Sequence, residues 1–374
     1  MSPEASVSVR LNPFKVPDSA LPILEGAVKV PWNRYGYILR ERPVFTLHPL
    51  FHAGCYYVQD SSAMYVGHVF RKLTEGMEGP LRVLDLCAAP GGKTTDVASS
   101  LRERYGDGFL LVSNEVMKQR AAVLSDNVVR WGDPRVVVTS ADPAAFSRLE
   151  GFFDVVIADV PCSGEGMFRK DERAREEWSP DTVKLCAARQ RRILADMWPC
   201  LRQGGLLIYS TCTYEQSEND DNLGWAASEL GGEIVAPENE FGSCGVQLTE
   251  HGNLLKAGVV PGEGQWIGAM VKTGCARRTG RTLESCVKPF RVREDGFDPD
   301  ECLGIFYDRN KYPCVEVDKQ TALKYLHRDS LVLPGAAMGY NVLTYRGIPI
   351  GFVKNVGSRC NNLLPKSRRI MMNV

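Results

Sequence analysis

The sequence lacks the features of a membrane or secreted protein. It has no apolar run of the roughly 18 residues that a membrane-spanning helix needs, and its start, MSPEASVSVRLNPF, is not a basic stretch followed by an apolar one. None of its twelve cysteines are spaced as C-x-x-C, and no Cys/His cluster has zinc-ligand spacing. A chain of 374 residues does not need disulfides. We therefore expect a cytoplasmic monomer with reduced thiols that binds neither a membrane nor a metal.

An excess of charge of one sign is also absent, because 45 basic residues balance 45 acidic ones. The distribution is uneven, however. Residues 330–374 contain six basic residues and no acidic one, which leaves 39 basic against 45 acidic residues in the rest. A basic tail of this kind is a weak indication of contact with a phosphate backbone. A solvated terminus explains it equally well.

The middle of the chain alternates between short apolar runs and amphipathic stretches. The predicted strands are residues 81–86, 109–112, 136–138, 154–160, 206–209 and 265–272. Helices are predicted at 93–101, at 118–130 and from a Ser179 cap to Gly204-Gly205. Continuous apolar strands alternating with helices predict a parallel sheet covered on both faces, with the ligand site beyond the carboxyl ends of the strands.

The remaining segments flank this α/β core. Residues 1–80 have weak periodicity and form an N-terminal module, whereas residues 277–301 are charged and turn-rich, as in a linker. After the linker, residues 341–344 and 348–353 flank Tyr345-Arg346-Gly347 and predict a hairpin in a small β-rich module.

The first motif, DLCAAPGGKT, follows the first core strand and predicts a cofactor loop. A phosphate-binding P-loop is excluded because Cys87 stands where that motif needs glycine, and G-x-G-x-x-G is absent. A nucleoside cofactor without a pyrophosphate remains. Glu115 and Asp142 follow the next two strands, where acids can accept from ribose hydroxyls and from an adenine amino group. Together these residues indicate S-adenosylmethionine. The predicted loop residues are Cys87, Ala88, Ala89, Pro90, Gly91, Gly92 and Lys93.

Two further motifs each place a cysteine just after a predicted strand. DVPCSGEGMF contains Cys162 where amino-group methyltransferases often carry an aromatic residue, and YSTCTY contains Cys212. A cysteine at a strand end is more often structural than catalytic when it stands alone. Two of them at the edge that also holds the cofactor loop favour thiol chemistry.

Taken together, DLCAAPGGKTT, DVPCSGEGMFRKD and YSTCTYEQSEN resemble the RNA (cytosine-5) methyltransferases of the Sun type, and most closely the bacterial RsmF-like enzymes that act on 16S ribosomal RNA. The resemblance spans roughly residues 50–273. SVRLNPF near the start looks like that family's N-terminal module. The segment GYNVLTYRGIPIGFVKNVGSRCNNLLP is similar to its PUA-like C-terminal module.

The resemblance implies roles for four residues. Cys212 would be the nucleophile that adds to carbon 6 of cytosine, and Cys162 would help to release the methylated RNA. Asp159 would hydrogen-bond the ring nitrogen and amino group of the base and would also contact the cofactor, while Lys93 would reach the cofactor or the base. Phe168 and Trp178 could stack on an unstacked base or simply pack in the core.

The resemblance also implies a division of the chain into modules. We expect an N-terminal RNA-binding module at 1–78, a Rossmann-like, seven-stranded S-adenosylmethionine-dependent methyltransferase core at 79–275, a linker at 276–300 and a PUA-like RNA-binding domain at 301–374. The expected partner is ribosomal RNA or the small ribosomal subunit. Three alternatives stay open: a transfer RNA enzyme, an inactive RNA-binding assembly factor, and a methyltransferase of small molecules.

Overall fold

The structure, a computed structural model, describes residues 6–15, 21–169, 172–273 and 312–372. The predicted linker at 276–300 lies outside the described residues. Three sheets organise the described part. Within these residues, no helix combines the length and the apolar character that crossing a bilayer requires.

The N-terminal module is a small four-stranded sheet in the order β2-β3-β1-β4. Its elements are β1 (Ser8–Leu11), β2 (Val28–Lys29), β3 (Gly36–Ile38), α1 (Pro49–His52) and β4 (Tyr56–Val58), followed by α2 (Met64–Leu73). Arg10 anchors this sheet to the next domain. Its side chain is wholly buried, lies 4.5 Å from the ring centre of Trp131 and donates to the Gly92 carbonyl at 3.2 Å.

The central sheet contains seven main strands, extended by the two short strands β10 and β11. In chain order its elements are β5 (Leu81–Asp85), α3 (Gly92–Tyr105), β6 (Phe109–Asn114), α4 (Lys118–Trp131), β7 (Val136–Thr139), β8 (Phe153–Asp159), α5 (Glu172–Glu177), α6 (Pro180–Met197), β9 (Leu201–Thr211), α7 (Asp220–Leu230), β10 (Gly232–Ile234), β11 (Gln247–Leu248), β12 (Gly252–Lys256) and β13 (Gly264–Lys272). The main strands lie in the order β12-β13-β9-β8-β5-β6-β7. The five from β9 to β7 are parallel, and β13 and β12 are antiparallel additions.

Helices cover both faces of this sheet, as the apolar strands predicted. Neighbouring residues of β5 belong to different hydrophobic clusters, Val83 to one face and Leu84 to the other. The carboxyl ends of five parallel strands therefore open at one edge. This is the Rossmann-like arrangement expected for the core.

One predicted boundary is wrong. Gly204 and Gly205 do not end α6, which stops at Met197 and passes through a 3-10 turn at Trp198–Cys200 into β9. Pro199 in that turn explains the early stop, because proline has no N–H to donate to the carbonyl four residues before it and so cannot continue the helix. Gly204, at φ +66°, instead lies in an irregular part of β9, where pairing with β8 jumps from Leu201 to Leu206.

The C-terminal module is a four-stranded sheet with one helix. Its elements are β14 (Cys314–Glu316), α8 (Lys319–Leu326), β15 (Gly339–Tyr345), β16 (Ile348–Asn355) and β17 (Cys360–Asn362). β15 and β16 form the predicted antiparallel hairpin, and Arg346 and Gly347 make its turn at φ +53° and +72°.

The N-terminal and C-terminal modules share one hydrophobic core. Leu50 and Tyr56 of the N-terminal module belong to the same buried cluster as Tyr325, Leu343 and Ile350 of the C-terminal module. α1 contacts both α8 and β16. The two ends of the chain therefore pack together beside the methyltransferase-like core.

Candidate active site

The site lies at the edge where the parallel strands end. Asp85 and Asp159 are the last residues of β5 and β8, and Glu115 follows β6 directly. Cys212 follows β9. Asp142, which comes after β7, is at the same edge but is exposed to solvent. The structure thus brings the predicted residues to one edge, as parallel pairing requires.

The predicted cofactor loop runs from the end of β5 to the first turn of α3. The Ala88 N–H donates to the Asn114 carbonyl at 2.8 Å, and Asn127 donates to the Pro90 carbonyl at 2.8 Å. Gly91 has φ +109°, which favours glycine, and a Cβ there would lie 3.1 Å from Leu124. Cys87 sits in this loop, where burial raises the pKa of its thiol. The thiol therefore stays neutral and is a poor nucleophile.

The two acids predicted to bind the nucleoside differ in their surroundings. Glu115 is buried, accepts from the Met117 N–H at 3.0 Å and lies 3.3 Å from the Arg120 guanidinium. Asp142 accepts from the Ala144 N–H at 3.0 Å and so caps a short 3-10 helix. Cofactor contacts by either acid remain predictions.

Asp85 is a site residue that the sequence analysis missed. Its side chain is wholly buried, and one oxygen accepts from the Thr94 hydroxyl at 2.6 Å. The other oxygen, Oδ1, has no hydrogen-bond partner among the described residues. Burial raises the pKa of Asp85 to about 7. Its place at a strand end, as for Asp159, was the signal that could have identified it.

Asp159 and Lys93 form an ion pair in the centre of the edge. Lys93 Nζ lies 2.7 Å from Asp159 Oδ2, and the other carboxylate oxygen accepts from Ser210 at 2.7 Å and from Gln265 at 3.0 Å. Burial alone lowers the pKa of Lys93, but the charge and hydrogen bond of Asp159, with smaller contributions from Cys212 and Asp85, together more than offset this, so the net shift is upward. Lys93 is therefore held as a cation, and Asp159 is held by three donors, of which Ser210 and Gln265 were not predicted.

The two predicted cysteines are in direct contact. Cys162 Sγ and Cys212 Sγ are 3.2 Å apart, a distance that a thiol hydrogen bond spans. We assign Cys162 as the donor, because the Lys93 cation favours the thiolate form of Cys212. The hydrogen bond from Cys162, with a smaller contribution from Lys93, lowers the pKa of Cys212. The same hydrogen bond, together with burial, raises the pKa of Cys162.

Contacts between the loop that carries Cys162 and the loop that carries Cys212 hold the two thiols next to each other. Glu165, three residues after Cys162, accepts from the Tyr214 N–H at 2.6 Å and from the Thr213 hydroxyl at 2.9 Å. The Gly166 N–H donates to the Cys212 carbonyl at 2.7 Å. None of these contacts was predicted, because each joins residues 46 or more positions apart in the chain.

The buried carboxylate of Glu218 fixes the loop that carries Cys162. Glu218 accepts from the Ser163 N–H at 3.1 Å and from Gln190 at 2.7 Å. Gln190 also donates to the Pro161 carbonyl at 3.0 Å. The loop that carries Cys162 is thus fixed on both sides. The candidate stacking residues Phe168 and Trp178 are both half-buried, and the Arg175 guanidinium lies 5.7 Å from the Phe168 ring centre.

The described residues contain no cluster of three or more His, Cys, Asp or Glu side chains that could hold a metal ion. What they do contain is a potential thiolate, a neutral thiol beside it, and a carboxylate paired with a cation. Such a set can add to an electrophilic ring carbon and stabilise the charge that develops on the ring.

Solved structures of methyltransferases share this fold. A methyltransferase homolog protein from Pyrococcus horikoshii superposes with a TM-score of 0.59 at 25% identity, covering 72% of this chain and 87% of that one. NSun6 from the same organism gives 0.58 at 17% identity, covering 73% and 92%. The chain therefore has a Rossmann-like methyltransferase fold.

Three family models match successive parts of the chain. The N-terminal domain of 16S rRNA methyltransferase RsmF matches residues 1–61, the 16S rRNA methyltransferase RsmB/F model matches 76–229, and the methyltransferase RsmF PUA domain matches 312–370. The chain belongs to the RsmB/F methyltransferase family, as the three motifs predicted.

Curated relatives agree with this assignment. The ribosomal RNA small subunit methyltransferase F of Cronobacter sakazakii is 34% identical over 260 residues, which is 66% of this chain and 52% of that protein. The protein of the same name from Pectobacterium atrosepticum is 31% identical over 280 residues, or 71% and 56%. This chain spans about half the length of these relatives.

Proposed function

We propose that this protein transfers a methyl group from S-adenosylmethionine to carbon 5 of a cytosine in ribosomal RNA, through a covalent bond between Cys212 and carbon 6. The observation that carries the proposal is the contact between Cys162 and Cys212 at 3.2 Å, beside the Asp159–Lys93 pair. The relatives named as small-subunit ribosomal RNA methyltransferases support the choice of RNA.

The residues at the strand ends fit the cofactor. S-adenosylmethionine carries donors, an ammonium and two ribose hydroxyls, and the site offers buried acceptors. Asp85 Oδ1 is a buried oxygen without a donor among the described residues, and Glu115 is a buried carboxylate at the next strand end. The loop of residues 87–93 would lie against the bound cofactor. When bound, the cofactor supplies an electrophilic methyl group on a sulfonium.

Cys212 begins the reaction as the nucleophile. Carbon 5 of cytosine is a weak nucleophile until a thiolate adds to carbon 6 and pushes electron density onto carbon 5. The lowered pKa of Cys212 increases the thiolate fraction at neutral pH. The activated carbon 5 then takes the methyl group, whose bond to the sulfonium sulfur breaks. Carbon 5 afterwards gives up its proton to water, and the electrons of that bond re-form the double bond between carbons 5 and 6 as the bond from the Cys212 sulfur to carbon 6 breaks, which releases the product.

The neighbouring groups act at separate stages. Asp159 accepts from the amino group of the cytosine, beside ring nitrogen 3, while the ion pair with Lys93 orients the Asp159 carboxylate. Cys162, with a raised pKa, remains protonated beside the attacking sulfur. It can therefore donate to that sulfur again when the sulfur leaves carbon 6, which would make Cys162 the residue for product release.

We also propose that the flanking modules bind RNA. The N-terminal module would occupy residues 1–78, the methyltransferase domain 79–275 and the PUA-like domain 301–374. The hydrophobic core that the two terminal modules share supports a single RNA-binding surface next to the active site, because this core fixes the N-terminal module against the C-terminal module.

The test is methyl transfer followed by nucleoside analysis. Purified protein is incubated with methyl-deuterated S-adenosylmethionine and, in parallel, small-subunit ribosomal RNA or transfer RNA, and the RNA is digested for mass spectrometry. We expect labelled 5-methylcytidine from ribosomal RNA with wild type and with the control Cys244→Ala, and none with Cys212→Ala. Label in another nucleoside would overturn the chemistry, and label only in transfer RNA would overturn the substrate. No label with any RNA would favour an inactive assembly factor.

A further inference from the structure

A second cavity lies outside the candidate active site, between the N-terminal module and α4. Its volume is about 130 Å³, and aromatic rings make up much of its wall. Phe51 and Tyr57 of the N-terminal module face Trp131, Asn127 and Arg130 of α4. Since a protein cavity of about 150 Å³ can hold a benzene ring, this one has a size that suits one planar base.

Arg130 supplies a cation to this cavity. Its guanidinium lies 4.8 Å from the ring centre of Phe51. Within the described part of the chain, that guanidinium makes no hydrogen bond and has no carboxylate within 4 Å. The carboxylate of Asp126, one turn earlier on α4, also lies beyond this distance. Burial, and then the nearby Arg368, lower the pKa of Arg130. A desolvated cation of this kind gains most from an anionic partner that arrives from outside.

The opposite side of the cavity offers polar groups next to the cofactor loop. The Tyr57 hydroxyl and the Asn127 amide both donate to the Pro90 carbonyl, at 3.0 and 2.8 Å. The Tyr57 ring meets the Trp131 ring edge-on, with the centres 6.5 Å apart. The cavity therefore combines ring surfaces, hydrogen-bonding groups and one cation.

We propose that this cavity binds one unstacked nucleotide of the RNA substrate, with its base against the aromatic wall and its phosphate on Arg130. Single-stranded nucleic acids are recognised by this combination of aromatic surface and guanidinium, since a base stacks on the ring while the cation pairs with the backbone. The inference rests on the proposed function for the identity of the RNA, and it adds a binding site separate from the catalytic edge.

The experiment measures binding without catalysis. A fluorescein-labelled oligouridine of 12 nucleotides has no cytosine to react with, so anisotropy reports binding alone. We expect Arg130→Ala to weaken binding about tenfold, as removal of a charge-assisted hydrogen bond should. The slope of log affinity against log salt concentration should become shallower by about 0.7, the value for one phosphate that is no longer neutralised. Arg130→Gln, which keeps much of the packing, should behave in the same way.

Arg82→Ala is the matched control. Its guanidinium also lies over a phenylalanine ring, 4.6 Å from the centre of Phe152. Arg82 is near the amino end of β5, whereas the cofactor loop beside the cavity follows the carboxyl end of that strand. Binding by Arg130→Ala and Arg130→Gln within twofold of the Arg82→Ala value would overturn the proposal, as would absence of binding by wild type.

The nucleoside assay separates the failure of the cavity proposal from the failure of the proposed function. If wild type forms 5-methylcytidine and the Arg130 variants bind normally, the cavity proposal alone fails. If wild type forms none and the Arg130 variants still bind more weakly, the proposed function alone fails.

Discussion

At the scale of single residues, the Cys212 thiol owes its proposed reactivity to two neighbours. Cys162 can donate a hydrogen bond to its sulfur, and the Lys93 cation lies close enough to favour the thiolate. The motifs indicated both cysteines, yet they did not indicate how Cys212 is activated. That information lies in distances across the sheet edge, which depend on how the two loops pack.

The first prediction concerns the ionisation of Cys212. We expect its alkylation by iodoacetamide to reach half-maximal rate at a pH below that of an ordinary cysteine. In Cys162→Ala the midpoint should move upward, because the largest cause of the lowered pKa is removed. Peptide-level mass spectrometry across a pH series measures it. An unchanged midpoint in Cys162→Ala would show that Cys162 does not donate to Cys212.

The second prediction concerns Asp85 and stability. Unfolded, this carboxyl ionises near its ordinary value of 3.8, whereas folded it keeps its proton to about pH 7. Between these values the folded state binds more protons, so the contribution of Asp85 to the free energy of unfolding falls as pH rises. Asp85→Asn should therefore gain stability over wild type as pH increases from 4 to 7, by at most roughly 4 kcal/mol. Urea denaturation at pH 4.5 and 8 measures this, and an equal difference at both pH values would contradict it.

At the scale of elements, much of the core could be predicted from the sequence. β5, β6, β7 and β8 lie within two residues of the predicted strands, because buried parallel strands are continuous apolar runs. The N-terminal sheet could not be resolved in the same way, since its strands have two to four residues and no clear alternation. The end of α6 was misplaced because Gly204 and Gly205 signal a turn equally well inside a bent strand.

The third prediction tests the contact between the two cysteine loops. A Cβ at residue 166 would lie 2.8 Å from the Cys212 carbonyl oxygen and 3.2 Å from that of Glu263. Gly166→Ala should therefore displace the nucleophile and lower kcat by about a hundredfold, as misplacement of a reacting group by about 1 Å does. Cofactor affinity, measured by calorimetry, should not change.

Gly76→Ala is the control for that substitution, because nothing lies within 4 Å of a Cβ at that position. Its kcat should equal the wild-type value. If Gly166→Ala is as active as Gly76→Ala, the contact between Gly166 and Cys212 does not position the thiol.

At the scale of the whole molecule, the two terminal modules behave as one packed unit. Leu50 on α1 is fully buried in the core that they share. The sequence predicted each module separately, and the family resemblance suggested that both bind RNA. Their packing against each other could not be predicted, because no local pattern records which apolar faces meet.

The fourth prediction follows from the shared core. Leu50→Ala should cost about 2–5 kcal/mol by leaving a cavity, and it should speed hydrogen exchange in α8 and β16 as well as in the N-terminal sheet. Mass spectrometry of exchanged peptides measures this. Leu223→Ala, in α7 of the central domain, is the control and should affect the central domain alone. Faster exchange confined to the N-terminal sheet in Leu50→Ala would show that the modules are independent.

The measurement that tests the central claim most directly is the trapping of the covalent adduct. Wild type, Cys162→Ala, Cys212→Ala and the double variant are expressed in cells, and denaturing gels are searched for protein that migrates with RNA and collapses on ribonuclease treatment. The division of roles between the thiols predicts this species in Cys162→Ala alone, since Cys212 still adds to the base but release is slow. An adduct that persists in the double variant, or one that forms in Cys212→Ala, would contradict the assignment of Cys212 as the nucleophile.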